Sequence, residues 1–355
     1  MRPDVTKLKF FASGMSLKEG PSYGYFPQPE KCILIAKEGK DYQLQEAFRD
    51  TQLKITTIGA RHLGSVLGSL AFKRVYFTEK VEGWIEALKT LAKFAQTQPH
   101  AAFAVFTHCL QGCWTFLCRT VPVAGFFLEA LEDCIRRVFI PALLKRDVSD
   151  NERDLLSLPA KIGGLGIFNP AERALSSFSY SEALCFPLIS LVLRQADFFD
   201  PSELRQDQNN IRALQDLDID YNYDLRLKEL TPKLPPETQK GVELARQQGA
   251  SSWVTAMTNE EHGTILHKGD FLDAIYMRYG WPILSLPLQC ACGAPFSVQH
   301  SLDCKLGGYR TLQHNEVRDL FAQCLREAKF HAVDRAHSSD SFRRIIQIQI
   351  NKQRR

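Results

Sequence analysis

Three cysteines and one histidine near the end of the chain are the residues whose types and spacing could bind a metal ion. Cys290, Cys292, His300 and Cys304 lie within fifteen residues, in the pattern C-x-C-x7-H-x3-C. Three thiolates and one imidazole are the donor set of a closed tetrahedral zinc site, and Gly293 gives the backbone the freedom to turn between them. The pattern predicts structural Zn²⁺ rather than a catalytic metal; the alternative is four unconnected residues in a reduced protein.

No set of catalytic residues stands out in the sequence. The chain has no H-E-x-x-H motif and no Asp-Asp dipeptide, and the glycines at 163–166 are not followed by Gly-Lys-Ser/Thr. These glycines therefore predict a tight bend between helices, not a phosphate-binding loop. The polar residues His314, Asn315 and Arg318 begin a predicted helix that Asn315 could cap. A solvated face and a nucleic-acid-contacting surface are equally good interpretations of that helix, whose apolar residues Val317, Leu320, Phe321, Cys324 and Ala328 are expected to face inward.

The composition is that of an ordinary globular protein long enough for two or three domains. The 355 residues include 45% hydrophobic and 24% charged side chains, and the net charge of +4 is too weak to indicate nucleic-acid binding by itself. Ten cysteines, several in apolar helical runs, favour reduced thiols in a nuclear or cytoplasmic protein that is not secreted. The most apolar run, 101–117, contains polar residues and predicts a core helix, so no membrane partner is expected.

The period of the apolar residues changes along the chain. Apolar runs at 32–36 and 55–58 predict two short strands, and the glycine-punctuated segment 61–68 predicts a hairpin. Beyond about residue 80 the apolar residues recur with helical spacing. The helices predicted in this way cover about 80–98, 100–118, 126–140, 169–193, 241–256, 268–279 and 314–328, after a short one at 5–19.

The order of the motifs resembles that of reverse transcriptases from non-LTR retrotransposons of the restriction-like-endonuclease type. Segment 20–35, with Gly-Pro-x-Tyr-Gly-Tyr-Phe-Pro before an apolar strand, is similar to the part of the palm that follows the catalytic hairpin. Segment 61–68, Arg-His-Leu-Gly-x-x-Leu-Gly, is similar to the hairpin that grips the primer, and 158–167 is similar to the LP…GGLGI element. The Cys/His cluster followed by His314 and Asn315 resembles the zinc knuckle ahead of the nuclease.

This resemblance covers roughly residues 5–330 and implies the architecture. The expected fold is mainly α with a small β remnant: the end of a reverse transcriptase palm, a helical thumb and then a zinc knuckle. The implied divisions are a partial palm remnant at 1–78, a thumb-like domain at 79–195, a linker or surface excursion at 196–240 in which one charged helix is an option, a helical connector at 241–289, the zinc knuckle with the first helix of a nuclease-like domain at 290–330, and a basic tail at 331–355.

The resemblance also implies which residues meet nucleic acid. Lys31 would lie near the phosphates of the incoming nucleotide, and Arg61, His314, Asn315 and Arg318 would contact RNA or DNA. Members of the family hold Mg²⁺ on an aromatic-x-Asp-Asp hairpin upstream of the Gly-Pro-x-Tyr-Gly segment, and this chain has no Asp-Asp. The expectation is a truncated polymerase without polymerase or nuclease activity, which retains RNA or DNA binding through thumb and knuckle. Mg²⁺ belongs only to the intact parent polymerase.

Two other classes of protein stay open from the sequence. One is an unstable genomic relic, because palm strands without their sheet partners leave unpaired edges. The other is a host-adopted protein-interaction scaffold built on the helical body and the zinc module. The last fifteen residues, 341–355, hold five Lys and Arg and no acid, and are interpreted as read-through or misjoined sequence rather than as a functional segment. The oligomeric state is not indicated.

Overall fold

Helices dominate the fold. The computed structural model describes residues 22, 24, 26, 31–50, 53–122, 124–194, 198, 200–261, 263–283, 286–306 and 308–333. The predictions of a helix at 5–19, of most of the segment 20–30 and of the tail beyond 333 lie outside these residues. With 67% helix and 6% strand, the mainly α class is confirmed. The chain divides into two compact units, Met1–Pro282 and Ile283–Arg355.

Two two-stranded sheets contain the strands of the first unit. β1 (Ile33–Ile35) pairs in parallel with β2 (Lys54–Thr56), and α1 (Asp41–Ala47) connects them. β3 (Gly59–His62) and β4 (Ser65–Gly68) form an antiparallel hairpin. The two predicted strands and the predicted hairpin are therefore confirmed. The parallel pairing requires a crossover connection, which α1 supplies.

The remaining helices of the first unit follow in sequence with short connections. They are α2 (Leu70–Ala95), α3 (Pro99–His108), α4 (Thr115–Thr120), α5 (Ala124–Phe127), α6 (Glu129–Cys134), α7 (Ile140–Leu144), α8 (Asp150–Ser157), α9 (Pro170–Leu193), α10 (Pro201–Leu230), α11 (Pro236–Ala245), α12 (Ser252–Thr255) and α13 (Lys268–Tyr279). A π-helical turn at Ile135–Phe139 joins α6 to α7.

The hydrophobic core of the first unit lies between α2, α3 and the segment from α6 to α7. Phe77 and Leu88 of α2, Phe106 of α3 and Phe139 are fully buried. The rings of Phe106 and Phe139 stack with their centroids 4.6 Å apart. Burial of each of these side chains contributes about 1.5–3 kcal/mol. The periodic apolar residues that predicted the helices are thus the ones that pack together.

The apolar run predicted as one core helix over 100–118 is two helices. Helix α3 ends at His108, a 3₁₀ turn spans Leu110–Gly112, and α4 begins only at Thr115. Gln111 lies in this break and accepts a hydrogen bond from the backbone N–H of Phe168 at 3.0 Å. The polar residues in the run therefore mark the place where the helix ends.

The segment predicted as a linker, 196–240, contains one long helix. Asp200 caps α10 by accepting a hydrogen bond from the backbone N–H of Ser202 at 2.7 Å, and Pro201 occupies its first turn. Leu227 and Leu230 in its last turn are buried in the core. The linker prediction is corrected for 201–230, and the option of one charged helix is confirmed.

The glycine-rich bend at 163–166 is a packing junction between the chain segments around it. The guanidinium of Arg278 donates to the carbonyl oxygen of Ala160 at 2.9 Å and to that of Gly164 at 3.2 Å. The hydroxyl of Tyr279 donates to the carbonyl oxygen of Gly163 at 3.0 Å. These side-chain hydrogen bonds hold the backbone of the bend against α13. The prediction of a tight bend between helices is confirmed.

Replacing Gly164 with alanine should destabilise the first unit by about 2–4 kcal/mol, because a Cβ atom would lie 1.9 Å from the carbonyl oxygen of Leu158. Urea denaturation measures the loss. Gly83→Ala is the matched control, since a Cβ atom there meets nothing within 4 Å and the helix interior favours alanine by about 1 kcal/mol. Equal urea midpoints for Gly164→Ala and Gly83→Ala would contradict the claim that Gly164 packs too closely for a side chain.

His100 is a buried histidine that makes the first unit sensitive to acid. It is 4% exposed, stacks on Phe271 with ring centroids 5.0 Å apart, and its Nδ1 accepts from the backbone N–H of Leu266 at 3.0 Å. Burial lowers the pKa of His100 below its ordinary value of 6.5. The unfolded chain therefore binds the proton more readily, and the stability that His100 contributes is lost as the pH falls from 6.5 towards the lower pKa of the folded state.

We expect the free energy of unfolding to fall between pH 7 and pH 5 more steeply in the natural chain than in His100→Asn, whose amide oxygen can accept the same hydrogen bond without titrating in this range. Urea midpoints at the two pH values measure the difference. Parallel pH profiles for the two proteins would show that His100 does not cause the acid sensitivity.

Candidate metal centre

A tight loop carries the first two cysteines of the cluster. The backbone N–H of Cys290 donates to the carbonyl oxygen of Ala294 at 2.9 Å, and that of Gly293 donates back to the carbonyl oxygen of Cys290 at 2.8 Å. Gly293 has φ 83°, a left-handed conformation that glycine adopts without strain. The glycine after Cys292 therefore closes the loop, as its place in the sequence predicts.

A short helix supplies the other two residues. Helix α14 (Val298–Asp303) is capped by Ser297, whose hydroxyl oxygen accepts from the backbone N–H of His300 at 3.0 Å. Cys304 follows the last helical residue, and its backbone N–H donates to the carbonyl oxygen of His300 at 2.8 Å. Because residues four apart lie on the same face of a helical turn, His300 and Cys304 point to one place.

The four predicted ligand residues converge. One ligand atom from each of Cys290, Cys292, His300 and Cys304 lies within 4.8 Å of all the others, so the group could hold a metal ion. The sulfur atoms of Cys290 and Cys304 are 3.6 Å apart, and the sulfur of Cys292 is 3.2 Å from Nε2 of His300. An ion held tetrahedrally at about 2.3 Å from each sulfur needs sulfur–sulfur separations of about 3.8 Å. The observed spacing fits such an ion.

The cluster is closed on one side by burial. Cys290 is 7% exposed and Cys304 is 8% exposed. Three sulfurs and one nitrogen fill a tetrahedral coordination sphere and leave no position for a substrate. The arrangement can stabilise the local fold but offers no Lewis-acid chemistry.

Helix α15 (Tyr309–Val333) follows the cluster and carries three of the predicted nucleic-acid-binding residues. His314 and Arg318 are exposed and Asn315 is half-buried. Arg318 forms an exposed ion pair with Asp319, with 2.8 Å between guanidinium nitrogen and carboxylate oxygen. Helix α15 begins at Tyr309, so Asn315 lies inside the helix and not at its N-terminal cap position. The prediction that Asn315 caps this helix is therefore wrong.

The apolar residues of α15 do not face inward in the part of the second unit that the structure describes. Val317 and Leu320 are each 62% exposed, and Phe321 is 64% exposed. The expectation of an inward apolar face is therefore wrong for Val317, Leu320, Phe321 and Cys324, which are all exposed.

Two aromatic residues beside the cluster were not among the site residues predicted from the sequence. Phe296 in the loop and Tyr309 at the start of α15 meet edge to face with ring centroids 5.8 Å apart. Tyr309 is 42% exposed. Aromatic residues directly flanking a metal-binding loop are the signal that could have identified them, since such rings stack on unpaired bases.

Lys31 and Arg61 lie in the first unit, whereas the four candidate metal ligands belong to the second unit. Lys31 is exposed just before β1. Arg61 forms an ion pair with Glu79 at 2.7 Å, and its guanidinium lies 5.1 Å from the ring centroid of Tyr76. The hydroxyl of Tyr76 in turn donates to the carbonyl oxygen of Gly64 at 2.9 Å, which fixes the hairpin. Arg61 is thus held by an acid, whereas Lys31 is exposed.

Two helical stretches among the described residues are long and apolar enough to cross a membrane by length and composition. In the first, Pro99–Thr120, which comprises α3, the 3₁₀ turn and α4, 39% of the apolar window is buried inside the protein, and in the second, Pro170–Leu193, none of it is. The first belongs to the core described above. The second is α9, whose apolar residues are largely exposed.

No known protein family, curated protein or solved structure matches this chain. The resemblance to reverse transcriptases therefore rests on the sequence motifs alone, and the metal-binding geometry is independent of it.

Proposed function

We propose that this chain is a zinc-dependent nucleic-acid-binding protein related to the reverse transcriptases of non-LTR retrotransposons. The observation that carries the proposal is the convergence of Cys290, Cys292, His300 and Cys304 within 4.8 Å. Zn²⁺ is the ion that best suits three thiolates and an imidazole, because it favours tetrahedral sulfur and nitrogen ligands. When bound, it supplies the charge that holds the four donors together.

The surface beside the zinc site has the chemistry that single-stranded nucleic acid recognises. Tyr309 is 42% exposed, and an aromatic side chain of this kind can stack on a base. Arg310 and His314 lie one helical turn apart on α15 and are both exposed, so they can follow a phosphate backbone. Structured loops and single strands of RNA are the substrates that such modules bind. Zinc thus positions the start of α15 rather than touching the nucleic acid.

Fluorescence anisotropy with a single-stranded RNA tests the proposal. We expect zinc-loaded protein to bind with an affinity that falls as salt rises, and chelation to reduce binding at least about tenfold. Arg310→Ala should reduce the salt slope by about one, as the loss of one phosphate contact does. Arg326→Ala is the matched control, because it removes the same charge from an exposed position farther along α15. Binding that is insensitive to chelation and to Arg310→Ala would contradict the proposal.

We also propose that this chain does not polymerise DNA. Two-metal polymerisation uses paired carboxylates to hold Mg²⁺, and the sequence contains no Asp-Asp. Primer extension on an RNA template should give no product above background with the purified chain. Template-dependent synthesis would refute this part of the proposal and leave the zinc-dependent binding to be judged by the anisotropy experiment.

A further inference from the structure

The α9–α10 hairpin of the first unit has an open apolar face. Leu214, Leu217 and Tyr221 of α10 are 67%, 69% and 65% exposed. Their spacing of three and four residues places them on one stripe of the helix. Three large side chains of this kind exposed side by side on a helix mark a binding surface more often than scattered exposed residues do.

Small residues of α9 lie beside α10 at one end of this face. Pro187 and Ser190 of α9 line one cavity together with Glu203 and Asp207 of α10. The two helices run antiparallel, since Gln208 donates to the carbonyl oxygen of Leu184 at 3.2 Å and Gln215 donates to that of Tyr180 at 3.0 Å. Small side chains on one helix beside large ones on the other form a groove into which a third helix can pack.

A cavity lies at one end of this groove. Pro187 and Ser190 of α9 face Glu203 and Asp207 of α10 across a cavity of about 330 Å³. Because Glu203, Asp207, Leu214, Leu217 and Tyr221 follow one another at helical spacing, this cavity and the apolar stripe belong to one face of α10.

The charge of the groove is uneven. Three acids line the larger cavity, Asp200, Glu203 and Asp207, against one base, Arg194. Phe198 lines the same cavity and is 83% exposed. An apolar groove with an acidic end is complementary to an amphipathic helix that carries Lys or Arg at the matching end. Nucleic acid and anionic lipid would both be repelled by these acids.

We propose that the α9–α10 groove, bordered by the small residues of α9 and by Glu203, Asp207, Leu214, Leu217 and Tyr221, binds one amphipathic helix of a partner protein. The partner's apolar residues lie on the Leu214–Tyr221 stripe, and its basic end lies against Glu203 and Asp207. The distance from Glu203 to Tyr221 is about 27 Å along α10, the length of a helix of about 18 residues. This binding surface does not depend on the zinc centre.

The test uses the full zinc-loaded chain and two fluorescent synthetic helices of about 18 residues. One has leucines at i, i+3, i+4 and i+7 with lysines elsewhere, and the other has glutamates in place of the lysines. We expect saturable binding of the Leu/Lys helix, at least about tenfold tighter than that of the Leu/Glu helix. The variant Leu214→Ala/Leu217→Ala should weaken the Leu/Lys helix about tenfold.

A matched pair of charge reversals locates the acidic end. Glu203→Lys should weaken the Leu/Lys helix about threefold and strengthen the Leu/Glu helix. Asp216→Lys makes the same change in charge two residues beyond Leu214, on the other side of α10, and should leave the preference unchanged. Absence of saturable binding, equal affinity for both helices, or equal effects of the two reversals would overturn the proposal. So would a dimer in sedimentation that Leu214→Ala/Leu217→Ala dissociates, since a second copy would then occupy the groove.

Discussion

Replacing Cys292 and Cys304 with serine should abolish zinc binding and unfold α14 and the metal-binding loop, while the first unit stays folded. A helix of six residues is not stable alone, because helix nucleation is unfavourable in so short a segment. In small zinc modules the binding free energy of the ion, about 10–16 kcal/mol, supplies the free energy of folding. Hydrogen exchange should show that the amides of 288–306 lose protection and those of α2 and α3 keep it.

Cys324→Ser is the control for this variant. Cys324 is an exposed thiol of the same unit and is not one of the four converging residues. The control should retain one zinc per chain and the protection of α14. Full stoichiometric zinc in Cys292→Ser/Cys304→Ser would show that these residues do not hold the ion.

Arg153→Met should destabilise the first unit by about 3–5 kcal/mol, because it leaves a buried carboxylate without its partner. Arg153 donates to both carboxylate oxygens of Glu132 at 2.7 Å, and to the carbonyl oxygen of Ile167 at 2.8 Å. The side chains are 5% and 12% exposed. Methionine fills similar space but offers no donor. Urea denaturation at pH 7 measures the effect.

The pH dependence of this variant gives a second readout. Burial raises the pKa of Glu132 above its ordinary value of 4.5 even with Arg153 present, and without the guanidinium it rises further. The unfolded chain releases this proton first, so the deficit of Arg153→Met should grow as the pH rises above 4.5. A deficit that is constant from pH 4.5 to 7 would contradict the ion pair as its cause.

An exposed ion pair provides the comparison for Arg153→Met. Lys161 and Asp220 are 2.7 Å apart, but their side chains are 63% and 54% exposed. Lys161→Met should cost no more than about 1 kcal/mol, because water screens this pair. Similar losses in Arg153→Met and Lys161→Met would mean that burial does not govern the strength of these interactions.

Local signals in the sequence predicted the elements they encode directly. Asn169 and Pro170 predict the start of α9, and the structure has Asn169 as its cap, accepting from the backbone N–H groups of Ala171 and Glu172. The convergence of the four candidate metal ligands was also predictable, because fifteen residues of chain contain all of them. Spacing alone determines whether such a loop can close around an ion.

Features that depend on distant residues were not predictable in this way. Helix α10 was predicted only as an option within a linker or surface excursion, because it is polar along most of its length and its buried residues, Leu227 and Leu230, lie in its last turn. The partner of Arg153 lies 21 residues away in the chain, and that of His100 lies 166 residues away. A single sequence does not indicate such pairs, since neither residue type nor spacing specifies a partner at that separation.

Titration of the full chain with Co²⁺ tests the metal centre most directly. Co²⁺ takes the place of Zn²⁺, and its absorption spectrum reports both coordination geometry and thiolate ligands. We predict one Co²⁺ per chain with the intense visible bands of a tetrahedral ion and a thiolate charge-transfer band, displaced by Zn²⁺ and absent from Cys292→Ser/Cys304→Ser. A weak octahedral spectrum, or tetrahedral bands that survive in the double variant, would contradict a centre formed by Cys290, Cys292, His300 and Cys304.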